Sequence, residues 1–205
     1  MAKSTVGEVL TRIASARSVP TGPRCEMCAV GIGEDHQHVV DVSVRALMCV
    51  CRPCYLLFAP VDADLRYKAV PDRYDELDDF ELGPGRWESL EIPVNLAFFF
   101  RNSVLDKFIA FYPGPAGATE SELPIEAFEA VLRENPRTST MRADVEALIV
   151  HVVPGEVAPR CFIVPIDACY ELVGRLRKVW RGFDGGQDAH TEIAEFFHRV
   201  EERSR

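Results

Sequence analysis

Five of the seven cysteines and two of the five histidines fall between Cys25 and Cys54. They read Cys25-Glu26-Met27-Cys28, then His36-Gln37-His38, then Cys49-Val50-Cys51-Arg52-Pro53-Cys54. A C-x-x-C pair on a tight turn offers two thiolates at the separation a tetrahedral ion needs, and two such pairs complete a four-sulfur shell. The 22 residues between Cys28 and Cys51 suffice for a hairpin that returns the second pair to the first. Cys25, Cys28, Cys51 and Cys54 are therefore the expected ligands. Zinc is the expected ion, and iron held by the same four sulfurs is the alternative. A closed shell leaves no coordination position open, so the site is structural rather than catalytic, and metal–ligand free energy replaces a hydrophobic core that so small a module cannot build.

The intervening residues set the register. Val39, Val40, Val42 and Val44 favour a strand, as do Ala46 to Val50, with a turn near Ser43 and Val44. Antiparallel pairing about that turn sets His38 opposite Cys49 and His36 opposite Cys51, on one face of the sheet. Cys49, His36 and His38 are thus alternative ligands, hydrogen-bonding neighbours of the sulfurs, or the border of a second shallow site. Their simpler readings are a small apolar strand residue and a polar strand entrance.

Composition narrows the class. The 205 residues are 47% hydrophobic, which suits one core with a smaller module attached. A formal net charge of −9 counts against a surface that coats phosphates. The stretch 24–58 itself carries three arginines against four acids, so nucleic acid is not an expected partner. The longest apolar run, Leu96 to Phe100, is too short to span a bilayer. The first residues lack the apolar segment of a secretory signal. An odd cysteine count with paired C-x-x-C spacing fits metal binding in a reducing compartment. The expectation is a cytoplasmic protein without a membrane anchor.

Four segments follow in order. Residues 1–23 read as a short helix (4–17) and a linker, and 24–71 as a zinc-ribbon-like module that includes a third strand from Tyr67 to Val70. Residues 72–93 read as an acidic connector. Between 61 and 93 ten acids stand against four bases, the pattern of a solvated linker, with docking of a basic partner or a cation as the sharper alternative. Residues 94–205 read as an α+β domain. Val94 to Phe100 and Leu105 to Tyr112 form a hairpin turned by Arg101-Asn102-Ser103, a small-residue loop follows at 113–119, and Pro124 to Glu134 is a helix. The order repeats with strands at Val145 to Val153 and Arg160 to Val164 and a helix from Asp167, a candidate N-cap, to Trp180. A last helix carries Ile193, Phe196, Phe197 and Val200 on one face. The expected fold class is α+β: a four-stranded, mainly antiparallel sheet in ββα-ββα-α order, covered on one face by helices.

No catalytic constellation accompanies the metal motif. Cys161 and Cys169 read as buried, inert thiols. His151 and His190 lack a nucleophile at a recognisable spacing, and the 113–119 loop lacks the lysine of a phosphate-binding loop. Arg175, Arg177, Lys178 and Arg181 sit where they favour a helix C-terminus, with an acidic docking partner as the alternative. An enzyme is therefore not the leading expectation.

Several blocks, among them His36-Gln37-His38-Val39-Val40-Asp41, Leu47-Met48-Cys49-Val50-Cys51-Arg52-Pro53-Cys54, Ile92-Pro93-Val94-Asn95-Leu96 and Trp180-Arg181-Gly182-Phe183-Asp184, together resemble an uncharacterised bacterial domain-of-unknown-function family. The resemblance runs from about residue 24 to 200. It implies genes near those of uptake nickel-iron hydrogenases and an accessory role toward a metalloenzyme or its assembly machinery as protein partner, and it carries over no catalytic residue. The competing expectation is a rubredoxin-like, four-cysteine iron protein that transfers electrons. Such knuckles place glycine after the second cysteine, where this chain has Ala29 and Tyr55.

Overall fold

The structure, a computed structural model, describes residues 22–60, 66–82, 85–92, 94–121, 126–153, 155, 158–182 and 184–204. The expected helix at 4–17 lies outside these residues. Among the described residues nine strands form two antiparallel sheets, and four α-helices accompany them.

The smaller sheet is the cysteine module. Strands β1 (Gln37–Asp41) and β2 (Ala46–Val50) pair as a hairpin, with β3 (Tyr67–Ala69) on the other side of β1. Asp41 holds the turn by accepting hydrogen bonds from the Ser43 N–H and hydroxyl. The Arg66 guanidinium beside Asp41 keeps its carboxyl well below the usual carboxylate range. Helix α1 (Arg52–Leu56) follows β2 at once. Among the described residues the module's own packed centre is small: Cys25, Val39 and Val50 are buried, with half-buried Met27, Ile32, Met48 and Tyr55 against them.

The larger sheet has six strands rather than the expected four. Its order is β4 (Asp75–Glu76), β9 (Arg160–Pro165), β8 (Glu146–His151), β5 (Leu96–Asn102), β6 (Lys107–Gly114) and β7 (Gly117–Glu120). Both additions come from stretches expected to be irregular. The 113–119 loop is a hairpin, because Gly117 takes a φ of +123° that a side chain would resist. The connector supplies β4, and its Leu77, Phe80, Leu82, Trp87 and Leu90 are buried. Some of its charges are paired at the surface: Arg137 bridges Asp78 and Asp79, and Arg86 bridges Glu134. Asn102 belongs to β5, and its side-chain oxygen accepts the N–H groups of Val104 and Leu105, so the turn follows it.

Helices cover both faces of this sheet, not one. Ala97, Phe99, Leu148, Val150, Cys161 and Ile163 point to one side, where Phe99 stacks on Phe128 of α2 (Glu126–Glu134) with ring centroids 3.7 Å apart. Their strand neighbours Leu96, Phe98, Ala147, Ile149, Phe162 and Val164 point to the other, against α3 (Ile166–Val179) and α4 (Gly186–Arg203). Strands buried on both faces read as unbroken apolar runs, as these do.

The module packs on one end of the larger sheet. Val40 and Val70 meet Val145 and Ile166. Lys68 of β3 pairs with Asp144 at 2.7 Å, and Asp144 also accepts from the Ser103 N–H and hydroxyl. Arg73 donates to the fully buried Glu146 at 3.1 Å.

His151 stacks on Phe197 at 4.8 Å and faces Arg160 across the strand pair. Burial, and then the charges of Arg160 and His190, lower it to about 4. The unfolded chain takes up this proton near pH 6.5, the folded chain only near 4. Stability is therefore complete above about pH 6.5 and falls as the pH drops toward 4. Replacing His151 by Gln is expected to flatten that decline in denaturant unfolding measured between pH 7 and pH 4.

Candidate metal centre

Two turns bring the four expected sulfurs together. In the first, the Ala29 N–H donates to the Cys25 carbonyl at 2.8 Å and the Cys25 N–H to that of Val30 at 2.9 Å. Ala29 takes the left-handed conformation, φ +61°. The turn thus forms although alanine stands where knuckles usually have glycine, at a cost of about 1 kcal/mol in backbone strain. The second pair needs no such residue. Cys51 is the N-cap of α1, the Tyr55 N–H donates to the Cys51 carbonyl at 3.0 Å, and helical backbone carries Cys54 back beside Cys51. The Tyr55 hydroxyl donates to the Val70 carbonyl and ties α1 to the end of β3.

The four ligand atoms lie within 4.8 Å of one another, and Cys28 Sγ is 3.6 Å from Cys51 Sγ. A tetrahedral ion with metal–sulfur bonds of about 2.3 Å spaces its sulfurs about 3.8 Å apart, so the donor set fits such an ion. Cys25 is 2% exposed and Cys28 faces solvent. Burial disfavours the Cys25 thiolate, but backbone N–H groups of Cys51, Cys28 and Met27 outweigh it and bring the thiol down to about 6. Cys54 moves the other way, up to about 12, because Cys51, burial, Cys28 and Cys25 all oppose a second negative charge. At Cys28 the Val30 N–H favours the thiolate, yet Cys25 and Cys51 prevail and raise it. One thiolate is prepared, and Cys28 and Cys54 require a cation beside them.

The remaining candidates form a group of their own. His38 sits opposite Cys49, as the register predicts. His36, His38 and Cys49 bring their ligand atoms within 4.8 Å of one another, a set separate from the four sulfurs. The Glu26 N–H donates to the Cys49 carbonyl, and the Cys49 N–H donates to the Glu26 carboxylate, which fastens the first knuckle to β2. Burial, then the Glu26 charge, raises the Cys49 thiol.

Sequence reasoning missed Asp167. It lies in the first turn of α3, whose N-cap position is Pro165, and instead of capping the helix its carboxylate accepts a 2.8 Å hydrogen bond from His38 Nδ1. No local signal reveals a contact across 129 residues. Cys161 and Cys169 are buried, and burial pushes both thiols up, away from reactivity. Cys169 lines a largely apolar cleft of about 350 Å³ between β6, β7 and α3, where Arg177 is the charged residue.

A four-sulfur pocket on a small antiparallel module, docked to a six-stranded antiparallel sheet with helices on both faces, defines the class: a mixed α/β protein with a metal-binding type of cysteine cluster. The chain belongs to a family of unknown function, DUF5947, which matches residues 24–204. Neither a curated protein nor a solved structure matches it. No helix among the described residues is long and apolar enough to cross a membrane.

Replacing Ala29 by Gly is expected to raise the unfolding free energy of the metal-loaded protein by up to about 1 kcal/mol by relieving the left-handed alanine. Ala29→Val is expected to lower it, and thermal unfolding of both variants beside the parent reads the difference.

Proposed function

We propose that this chain is a non-enzymatic accessory protein in which zinc, held by Cys25, Cys28, Cys51 and Cys54, fixes the module in shape so that its surfaces and those of the larger domain engage a protein partner. The closeness of the four sulfurs carries the reading: four thiols with one lowered to about 6 and another raised to about 12 suit a dication bound by all four. Such a shell is coordinatively complete, so the metal supports structure rather than chemistry. The odd cysteine count and paired C-x-x-C spacing suit a reducing compartment such as the cytoplasm. The finer reading, help in assembling or maturing a nickel-iron hydrogenase or a related metalloenzyme, rests on the resemblance of the sequence blocks.

Iron in the same shell, acting in electron transfer, is the second reading. The left-handed turn at Ala29 favours it, because the backbone can approach the first pair's sulfurs without glycine. The helical second pair does not share that turn.

Protein purified in the presence of a chelator is expected to be colourless and to keep about one zinc per chain. A red protein with thiolate-to-iron absorption would replace zinc by iron. Cys54→Ser is expected to lose that ion and the module's order together, read by elemental analysis and by protease cleavage within 24–71. Co-purification from cells that express the surrounding gene cluster tests the partner, and the chain recovered alone would count against an accessory role.

A further inference from the structure

The His36, His38 and Cys49 group has the features of a prepared site. His36 Nδ1 lies 3.0 Å from the Gly33 carbonyl and 2.8 Å from the Glu34 carbonyl. A carbonyl can only accept, so Nδ1 carries the proton and Nε2 the lone pair. That Nε2 is buried and has no hydrogen-bond partner. A buried polar atom without a partner is costly, and a turn of the chain that fixes its ring so firmly does nothing to relieve it. His38 is fixed in the same sense by a different group: its Nδ1 donates to Asp167, which leaves Nε2 as the lone-pair nitrogen. A carboxylate behind an imidazole in this way is the arrangement that orients histidine ligands and raises their basicity. Opposite His38 in the strand pair stands Cys49, half-buried, with its thiol free.

We propose that His36, His38 and Cys49 form a second metal site, distinct from the four-sulfur cluster, that takes a divalent transition ion of borderline softness and leaves at least one coordination position open. Two imidazoles and one thiolate select zinc, cobalt, nickel or copper over magnesium or calcium, which want oxygen. The 4.8 Å limit on the donor separations exceeds the nitrogen–nitrogen and nitrogen–sulfur edges of a tetrahedral shell by at most about 1.5 Å, a gap that side-chain rotations close. The donor atoms of His36, His38 and Cys49 and the sulfurs of Cys25, Cys28, Cys51 and Cys54 form two separate sets, each gathered within 4.8 Å.

The site also spans the junction. His36, His38 and Cys49 belong to the module, but Asp167 belongs to α3 of the larger domain. An ion bound there strengthens the His38–Asp167 contact, and the docked domain in turn raises the affinity for the ion, since the coupling acts equally in both directions. Three protein ligands and an open position let an ion enter and leave, unlike the closed shell next to it.

Cobalt(II) titration of the full-length protein, unfolded in denaturant with chelator to strip the tightly held zinc and refolded under reducing conditions, tests this. Two equivalents are expected, the first with the intense thiolate-to-cobalt absorption of a four-sulfur site, the second with weaker absorption from a single thiolate. Cys49→Ala and, separately, His36→Gln are expected to abolish the second equivalent and keep the first. Asp167→Asn is expected to weaken the second about 10- to 100-fold with the first unchanged. A single equivalent in the parent protein, or a second equivalent untouched by both Cys49→Ala and His36→Gln, would overturn the proposal. Loss of the four-sulfur absorption itself would instead strike at the structural zinc reading, so the two failures are distinguishable. Circular dichroism of each variant confirms that it is folded before the titration is read.

Discussion

Four sulfurs crowded within 4.8 Å cannot all carry charge in the absence of a cation, and the module has little else to hold it. Three buried side chains cannot offset the chain entropy of ordering more than thirty residues. The turn at Ala29, the hairpin between β1 and β2 and the entry into α1 all converge on the sulfurs. Each is a local structure of modest stability that a metal would fix at once. The backbone N–H groups aimed at Cys25 show the same economy: they prepare one thiolate before any ion arrives, which lowers the number of protons that binding must displace.

The larger domain uses a different device. Its sheet is packed on both faces, and the module joins it through apolar contact and charge. Val40, Val70, Val145 and Ile166 exclude water from the seam, and around them stand Lys68 with Asp144, Arg73 with Glu146 and His38 with Asp167. Glu146 is wholly buried, so its pairing with Arg73 contributes direction more than net stability: with one partner misplaced the other is left charged in an apolar setting.

Much of this was legible in the residues, and the exceptions have physical causes. The cysteine spacing, the Ser43–Val44 turn and the valine alternation fixed the facing of His38 and Cys49, because a two-residue period allows no intermediate register. The apolar runs at Leu96 and Ala147 located the central strands. The connector's acids outnumber its bases, which points to a solvated linker, while Leu77, Phe80, Leu82, Trp87 and Leu90 follow neither a helical nor a strand period. They pack from irregular backbone, which periodicity does not see. The covering of both sheet faces follows from the same stretch. Asp167 shows the limit in a single residue: its place at a helix start has a local meaning, and its partner lies in another sheet.

The connector has one more effect, on what the molecule shows to other chains. A sheet's outer strands offer unpaired backbone groups to any passing strand. At one border lies β4, two residues long and made of Asp75 and Glu76, so a newcomer would meet carboxylates over a very short ladder. At the other lies β7, four residues long, with Gly117 so close to Arg177 that a methyl group there would press on its side chain at 3.3 Å. Both rims are thus short templates for strand addition. A short rim on either side weakens recruitment by this sheet through backbone pairing.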